Sequence, residues 1–480
     1  MNFDELLTLV NSTGAENKIS ICADSRLVKP GDCFVAVKGT NSDGHDFIPE
    51  AVEKGAKYIV AQQNCPSNGS ALILTDDSAK AWALLAQAAN GNPAAKLSNL
   101  AVTGTNGKTT ITFLVRSIVQ AAGEKCGLIG TVINDTGAGS AESTMTTPDA
   151  TTLAEMMAQM VQNTAKYMVI EASSHALSQR RLAAISFKAA AFTNLTGDHL
   201  DYHKDMDNYL AAKTILFENL GQDSFAILNK QSDASEKIAA RTKAKVLYYA
   251  VDESSDIRAD IVGMNASETI YDLTCSNQTL RVHSPLLGRH NISNHLAATG
   301  LCLACGIDLP TAVKGLEAMK IVPGRLESVR CGQSFAVLID YAHTDDALQN
   351  VLSTLRPLCA GKLTVVFGCG GDRDKTKRPR MAKVAHKTAD RIIVTSDNPR
   401  TEQPDAIIDD ILAGISKPLP NNIVVQADRE KAIGLAIRSA AKDDIILIAG
   451  KGHENYQIIG RQKFDFSDRT VAEKFLKETL

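Results

Sequence analysis

The sequence predicts an α/β chain of three domains, with a central phosphate-loop ATPase domain on a parallel sheet and a Rossmann-like C-terminal domain. Three observations point there. Between residues 99 and 320, short apolar runs alternate with amphipathic helix-length stretches, as parallel strands alternate with crossover helices. Two apolar runs open into glycine-rich turns, Gly104-Thr-Asn-Gly-Lys-Thr-Thr110 and Gly368-Cys-Gly-Gly-Asp-Arg-Asp374. The chain's 480 residues are also more than one hydrophobic core holds. The expected domains are residues 1–98, 99–321 and 322–480.

Composition narrows the function classes. Hydrophobic residues make up 44% and charged residues 22%, as in an ordinary globular protein. A net charge of −3 argues against a nucleic-acid surface or a polybasic anchor. The start, Met-Asn-Phe-Asp-Glu-Leu-Leu, lacks the basic and apolar segments of a signal peptide. No apolar stretch approaches the roughly 18 residues of a membrane span. The 10 cysteines follow no disulfide spacing, so a reducing cytoplasm is expected. Cys302-Leu-Ala-Cys305 sits in an apolar helical stretch and reads as buried thiols rather than half of a zinc site.

In the first domain, residues 32–37, 57–61 and 71–74 read as strands and 46–54 as a short helix. Ser78 is expected to cap a helix over 79–90. The turns 23–26 and 39–44 read as surface loops, and 91–96 as a linker.

The central domain opens on the strand Leu100-Ala-Val102 and the phosphate loop. Gly104 and Gly107 allow a tight turn and a close backbone approach. Lys108 and Thr109 begin a helix whose N-terminal N–H groups and dipole favour an anion. Lys108 would neutralise outer phosphates, and the Thr109 hydroxyl would face magnesium. Residues 125–130, 167–171 and 189–193 read as further strands, and 153–161 as a helix after the polar turn 145–149. Glu171 ends its strand beside the loop, where this architecture holds magnesium; a structural salt bridge is the plainer alternative. His199 and His203, four apart, fit one helical face but carry no zinc argument alone. Lys213, in the amphipathic stretch 207–217, is either a snorkelling surface lysine or a buried amine with a lowered pKa. A neutral amine can take up carbon dioxide as a carbamate and become a metal ligand. Short strands follow at 225–228, 246–250, 270–274 and 279–282, then a helix to Cys305.

In the last domain, residues 336–340, 363–367, 391–395 and 445–449 read as buried strands. All end in polar turns, so their carboxyl edges are expected to form one ligand crevice. Asp397-Asn-Pro-Arg400 belongs to that edge, although Asn-Pro also favours an ordinary turn.

Several motifs together resemble the Mur ligase family: Gly-Thr-Asn-Gly-Lys-Thr-Thr, Glu-Ala-Ser-Ser-His, Thr-Gly-Asp-His-Leu-Asp-Tyr-His, Gly-Arg-His-Asn, Asp-Tyr-Ala-His-Thr and Gly-Lys-Gly-His-Glu. With Asp397-Asn-Pro-Arg400 they are similar to the branch that adds meso-diaminopimelate to UDP-N-acetylmuramoyl-L-alanyl-D-glutamate in cytoplasmic peptidoglycan synthesis. The resemblance implies a UDP-sugar domain, a central ATPase and a C-terminal amino-acid domain. It implies ATP at Gly104, Thr105, Asn106, Gly107, Lys108, Thr109 and Thr110, with Asn291 beside His290, Arg325 and Asp340. Magnesium would sit on Thr109 and Glu171, and a second ion on His199 and a carbamylated Lys213. The UDP-linked substrate would meet Ser25, Thr40, Asn41, Ser42, Thr146, Thr147, Ser173, Gln179 and Arg181. Diaminopimelate would meet Arg373, Asp397, Asn398, Pro399, Arg400, Gly450 and Glu454. Asp345 replaces a proline that the family often has, and Met145 an asparagine of a related enzyme. No nucleic-acid or membrane partner is implied, and a monomer is the expectation.

The implied chemistry is activation of a carboxylate as an acyl phosphate, then attack by an amine. A lysine-adding or folylpolyglutamate-type ligase is the alternative within the superfamily. A nucleotide switch is the alternative outside it, disfavoured because Asn229-Lys230 is followed by Gln231 and Ser232 rather than completing a guanine-reading motif.

Overall fold

The short apolar runs become buried strands, and the polar residues that bound them become turns. The computed structural model describes residues 1–13, 18–40, 42–265 and 268–479. The chain divides into two compact units. The first comprises Met1–Leu195, His203–Tyr249 and Ala297–Gly315; the second comprises Thr196–Tyr202, Ala250–Leu296 and Leu316–Leu480.

The first unit contains two sheets. Ile21–Cys22, Cys33–Val35, Tyr58–Ala61 and Ala71–Leu74 pair in that order, all parallel. Leu6, Val10, Leu85 and Ala88 from helices Phe3–Ser12 and Ser78–Ala89 cover one face of this sheet. The second helix is capped by Asp77, whose side chain accepts from Lys80 N. The expected cap, Ser78, is instead the first helical residue: the shorter hydroxyl side chain turns inward to Gln62.

The larger sheet runs Lys245–Val251, Phe225–Asn229, Ala189–Phe192, Ser98–Thr103, Tyr167–Glu171 and Cys126–Ile129, all parallel. A short antiparallel hairpin, Ile133–Asp135 and Ser140–Glu142, extends its edge. Parallel strands need cover on both faces. Helices Ala150–Gln162 and Met206–Glu218 pack on one of them, through Met157, Met160, Leu216 and Phe217.

In the second unit, Ile257–Met264, Thr269–Cys275 and Gln278–Ser284 form an antiparallel meander. A six-stranded sheet follows in the order Glu327–Val329, Ala336–Asp340, Ile445–Ala449, Leu363–Phe367, Arg391–Val394, Ile423–Val425. Only its first pairing is antiparallel. The ends Asp340, Ala449, Phe367 and Val394 therefore share one edge, with Asp340 in register with Ala449 and Phe367 with Val394. The strands thus share the expected carboxyl edge.

Candidate functional site

The phosphate loop is shaped by its neighbouring strand. Gly104 and Gly107 have φ of +141° and +90°, which side chains resist. At Gly104 a Cβ would stand 1.9 Å from Thr193 Oγ1. Thr105 N donates to Asn194 O over 2.9 Å, Asn106 N to Asn194 Oδ1 over 3.0 Å, and Thr193 Oγ1 to Asn106 O over 2.6 Å. The end of Ala189–Phe192 thus fixes the loop, leaving the first turn of helix Lys108–Ala121 as an anion site. Lys108 Nζ folds back onto Gly104 O at 3.0 Å and Thr105 O at 2.7 Å. Thr109 and Thr110 are buried.

Glu171 is 1% exposed at the end of the adjacent strand. Its oxygens accept from Thr131 N at 2.8 Å and Thr131 Oγ1 at 3.0 Å, so the carboxylate is held in one orientation. Its backbone O accepts from Thr147 Oγ1 at 2.6 Å, and that hydroxyl lies 3.1 Å from Ser173 Oγ. Thr146 Oγ1 lies 3.0 Å from Thr131 Oγ1. Arg181 donates to Thr147 O at 2.6 Å and to Gln179 Oε1 at 2.6 and 3.0 Å. Thr146, Thr147, Ser173, Gln179 and Arg181 therefore form one connected group around Glu171. Met145, next to them, is exposed.

Lys213 resolves as buried, at 1% exposure. Its Nζ donates to Gly104 O over 2.8 Å and lies 4.2 Å from the Tyr209 ring centroid. Tyr209 OH in turn lies 3.3 Å from Thr105 Oγ1. The snorkelling alternative is overturned: Leu210 and Phe217, three before and four after, are buried on the same helix face.

In the first sheet's loops, Ser25 Oγ donates to Glu50 Oε2 over 2.6 Å, while Lys54 Nζ reaches Ser25 O and Glu50 Oε1. Thr40 and Ser42 are exposed. Asn41 lies outside the described residues. Trp82 Nε1 donates to Thr151 Oγ1 over 2.8 Å, and Thr151 Oγ1 to Ile21 O over 3.2 Å.

The other candidates lie in the second unit. His199 is half exposed, beside Asp198 at 3.4 Å. It has φ +55° and precedes helix Leu200–His203. The expected shared helical face with His203 is therefore absent, because a left-handed residue breaks the helix before it begins. Among the described residues, no three His, Cys, Asp or Glu side chains cluster as a metal set.

Asn291 is buried in the first turn of helix Arg289–Leu303, donating to Leu287 O over 2.8 Å. His290 Nδ1 lies 3.3 Å from Thr354 Oγ1. Asp340 accepts from Leu326 N at 2.7 Å and Ala342 N at 2.8 Å. Burial nonetheless pushes its carboxyl up, against the Arg325 charge and these N–H groups. Arg325 stacks on Tyr341 at 5.1 Å.

At that strand edge, Asp397 Oδ1 accepts from Asn398 N over 2.6 Å. Asn398 Nδ2 donates to Glu454 Oε2 over 2.8 Å, and Asn398 Oδ1 accepts from Lys451 Nζ and Ile458 N. A Cβ at Gly450 would lie 2.7 Å from Asp397 Oδ2. Arg400, after Pro399, donates to Gly371 O over 2.9 Å. Arg373 Nη1 donates to Asp372 O over 3.0 Å. Asp397, Asn398, Arg400, Gly450 and Glu454 are thus brought together.

Sequence reasoning left out Lys451. It is fully buried and paired with Glu454 at 3.0 Å, and its signal was its place between two motif glycines. It also left out the buried pair Arg429–Asp468, which clasps Ser396 O and Ala449 O at two strand ends. No local pattern announces that pair.

Comparison with known proteins identifies the family. Residues 102–302 match the Mur ligase middle domain. Residues 324–452 match the Mur ligase glutamate ligase domain, and 19–90 the Mur ligase family catalytic domain. The chain is similar to the UDP-N-acetylmuramoyl-L-alanyl-D-glutamate–2,6-diaminopimelate ligase of Geobacillus thermodenitrificans, 43% identical over 98% of this chain and 97% of that one. The ligase of the same name from Bacillus licheniformis is 43% identical over 96% of this chain and 94% of that one. A solved structure of a ligase of this name covers 96% of this chain and 94% of its own, at 31% identity and a TM-score of 0.68. Those near-full-length likenesses, and the successive domain matches, place the chain in the Mur ligase family.

Proposed function

We propose that this chain is the ATP-dependent ligase joining meso-diaminopimelate to UDP-N-acetylmuramoyl-L-alanyl-D-glutamate, with ADP and phosphate as the other products. The observation that carries the reading is the Asp397–Arg400 turn. It presents a guanidinium, an amide and carboxylates at the strand ends of a sheet, in a chain that also builds a phosphate loop. An arginine fork suits a carboxylate, and carboxylates suit an ammonium. Diaminopimelate offers both at its distal end, where lysine offers only the ammonium.

Lys108 rests on its own loop's carbonyls, and a phosphate oxygen would take their place. It would offset the repulsion between the triphosphate and the attacking D-glutamyl carboxylate. The carboxylate oxygen bonds to the γ-phosphorus as the bond to ADP breaks. The amine nitrogen then bonds to the acyl carbon, loses its proton, and phosphate leaves. Thr146, Thr147, Ser173, Gln179 and Arg181 would hold the UDP-linked substrate, with Ser25, Thr40, Asn41 and Ser42.

The Thr109 hydroxyl and the oriented Glu171 carboxylate are hard oxygen donors of the kind magnesium takes, and they fit that ion. Magnesium would supply charge neutralisation at the transferring phosphoryl. An unmodified Lys213 donates rather than accepts, so it fits a metal only as the carbamate.

Among the described residues no helix is long and apolar enough to cross a membrane. The protein is proposed to act in the cytoplasm, as a monomer.

Incubation with ATP, magnesium, the UDP-linked dipeptide and diaminopimelate should yield the amide product by mass. Comparable kcat/KM for lysine would reject the amino-acid assignment.

A further inference from the structure

The candidate amino-acid pocket stands on two turns, 370–373 and 398–402, and the pocket residues alone do not explain what joins them. Beneath both lies Arg378, in the first turn of helix Lys377–Thr388 and fully buried. Its guanidinium grips Glu402 with two parallel bonds of 2.9 Å each. It also donates to Gly370 O over 3.0 Å and to Asp410 over 2.8 Å. Glu402 accepts further from Asp372 N at 2.6 Å, and Lys375 Nζ lies 3.1 Å away.

Above this pair the turns are laced together. Gly371 N donates to Asn398 O over 2.9 Å, Arg400 Nη1 to Gly371 O over 2.9 Å, and Thr401 Oγ1 to Asp372 Oδ1 over 2.8 Å. A Cβ at Gly371 would lie 1.9 Å from Pro399 O, so the two backbones touch.

Charge makes the arrangement specific. A carboxylate two residues from Arg400 is well placed to neutralise it, which would remove the cation a substrate carboxylate needs. Arg378 occupies both Glu402 oxygens instead and holds its carboxyl down to about 2. A bidentate arginine pair fixes direction as well as charge.

We propose that Arg378 and Glu402, ion-paired beneath these two turns, are positioning residues for Arg373 and Arg400 and set the preference for an amino acid with a second carboxylate. The inference rests on the activity proposed above and deepens it.

The test is steady-state kinetics of the full chain as Glu402→Gln, with Thr401→Val as a milder variant that cuts only one exposed bond. For Glu402→Gln, KM for diaminopimelate should rise about tenfold or more, as loss of a charged hydrogen bond implies. The diaminopimelate-to-lysine ratio of kcat/KM should fall by about the same factor. KM for ATP and for the UDP-linked dipeptide should stay within about twofold, since the residues proposed for those ligands lie outside these turns. Thr401→Val should move the diaminopimelate KM in the same direction, by roughly two- to fivefold; if Glu402→Gln does not fold, Arg378→Lys, which keeps the charge but not the two parallel bonds, takes its place with the same expected changes. Unchanged discrimination in a folded variant, or all three KM values rising together, overturns the inference while leaving the activity intact. A wild type that prefers lysine overturns both.

Discussion

Lys213 Nζ donates to the carbonyl oxygen of Gly104 over 2.8 Å, tying a buried amine to the first residue of the phosphate loop. The Tyr209 ring, 4.2 Å away, attracts the same cation. One lysine therefore braces the loop as the ammonium, and in the proposed reading serves a metal as the carbamate. Lys213→Ala should lower kcat on the order of 10²- to 10³-fold, the usual cost of losing one preorganised charged group. Short carboxylic acids should restore part of that rate if a carboxylate is what is missing. A fully active Ala variant removes Lys213 from the site, and a dead variant that no acid rescues leaves it only the bracing role.

Gly104 admits no side chain for two separable reasons, its φ of +141° and the 1.9 Å approach of a Cβ to Thr193 Oγ1. Backbone strain of this kind costs about 1–3 kcal/mol, equivalent to roughly 5- to 150-fold in ATP affinity if the loop opens to relieve it. Gly104→Ala should raise the ATP KM within or above that range. Gly139→Ala, equally strained at φ +146° with nothing within 4 Å but in the hairpin turn rather than the phosphate loop, should leave ATP binding unmoved. Equal effects from the two would show that the loss comes from general destabilisation rather than from the phosphate loop.

Trp82 is the chain's single tryptophan, and its indole N–H ends on Thr151 Oγ1 at 2.8 Å. Thr151 opens the helix that follows Thr146 and Thr147, and its hydroxyl also reaches Ile21 O, shortly before Ser25. Binding of the UDP-linked dipeptide should therefore shift Trp82 emission, whereas ATP alone should not. Thr151→Val should raise KM for that substrate roughly 2- to 12-fold, the worth of one neutral hydrogen bond. Emission that responds to ATP but not to the nucleotide sugar would contradict the placement of that site.

His295 is fully buried between Tyr271 OH at 2.9 Å and Ser284 Oγ at 3.4 Å. Burial first, and His290 second, hold its pKa down to about 3. An unfolded histidine takes its proton near 6.5, so between about pH 6.5 and 3 the unfolded chain binds more protons. Stability is thus present above pH 6.5 and lost as the pH falls toward 3, by up to about 1.4 kcal/mol per pH unit for this group. His295→Gln should flatten the fall of Tm over that range in a calorimetric pH series. An unchanged slope would show that His295 is not the group being charged.

Much of this architecture was legible locally. Ala71–Leu74, Tyr167–Glu171, Ala336–Asp340, Leu363–Phe367 and Ile445–Ala449 begin and end where their apolar runs do. Buried parallel strands need continuous apolarity, and their ends need polar turns. The hairpin Ile133–Asp135 and Ser140–Glu142 was not legible, because its second strand is exposed throughout and carries no apolar signature. The phosphate loop, the Asp397–Arg400 turn and the last domain's shared strand edge were readable for the same reason: their chemistry is contiguous in sequence or follows from strand direction.

What only the tertiary structure decided is the state of the charged side chains. Apolar neighbours along the chain suit a snorkelling lysine and a buried one equally. Lys213 is buried because Gly104, 109 residues earlier, turns a carbonyl toward it. Arg429 meets Asp468, 39 residues on, and Lys451 meets Asn398, 53 residues back. The sequence by itself set which segments are strands and which turns hold chemistry, because those depend on near neighbours. Burying a charge requires a partner that repays its lost hydration, and in this protein the fold brings those partners from far along the chain.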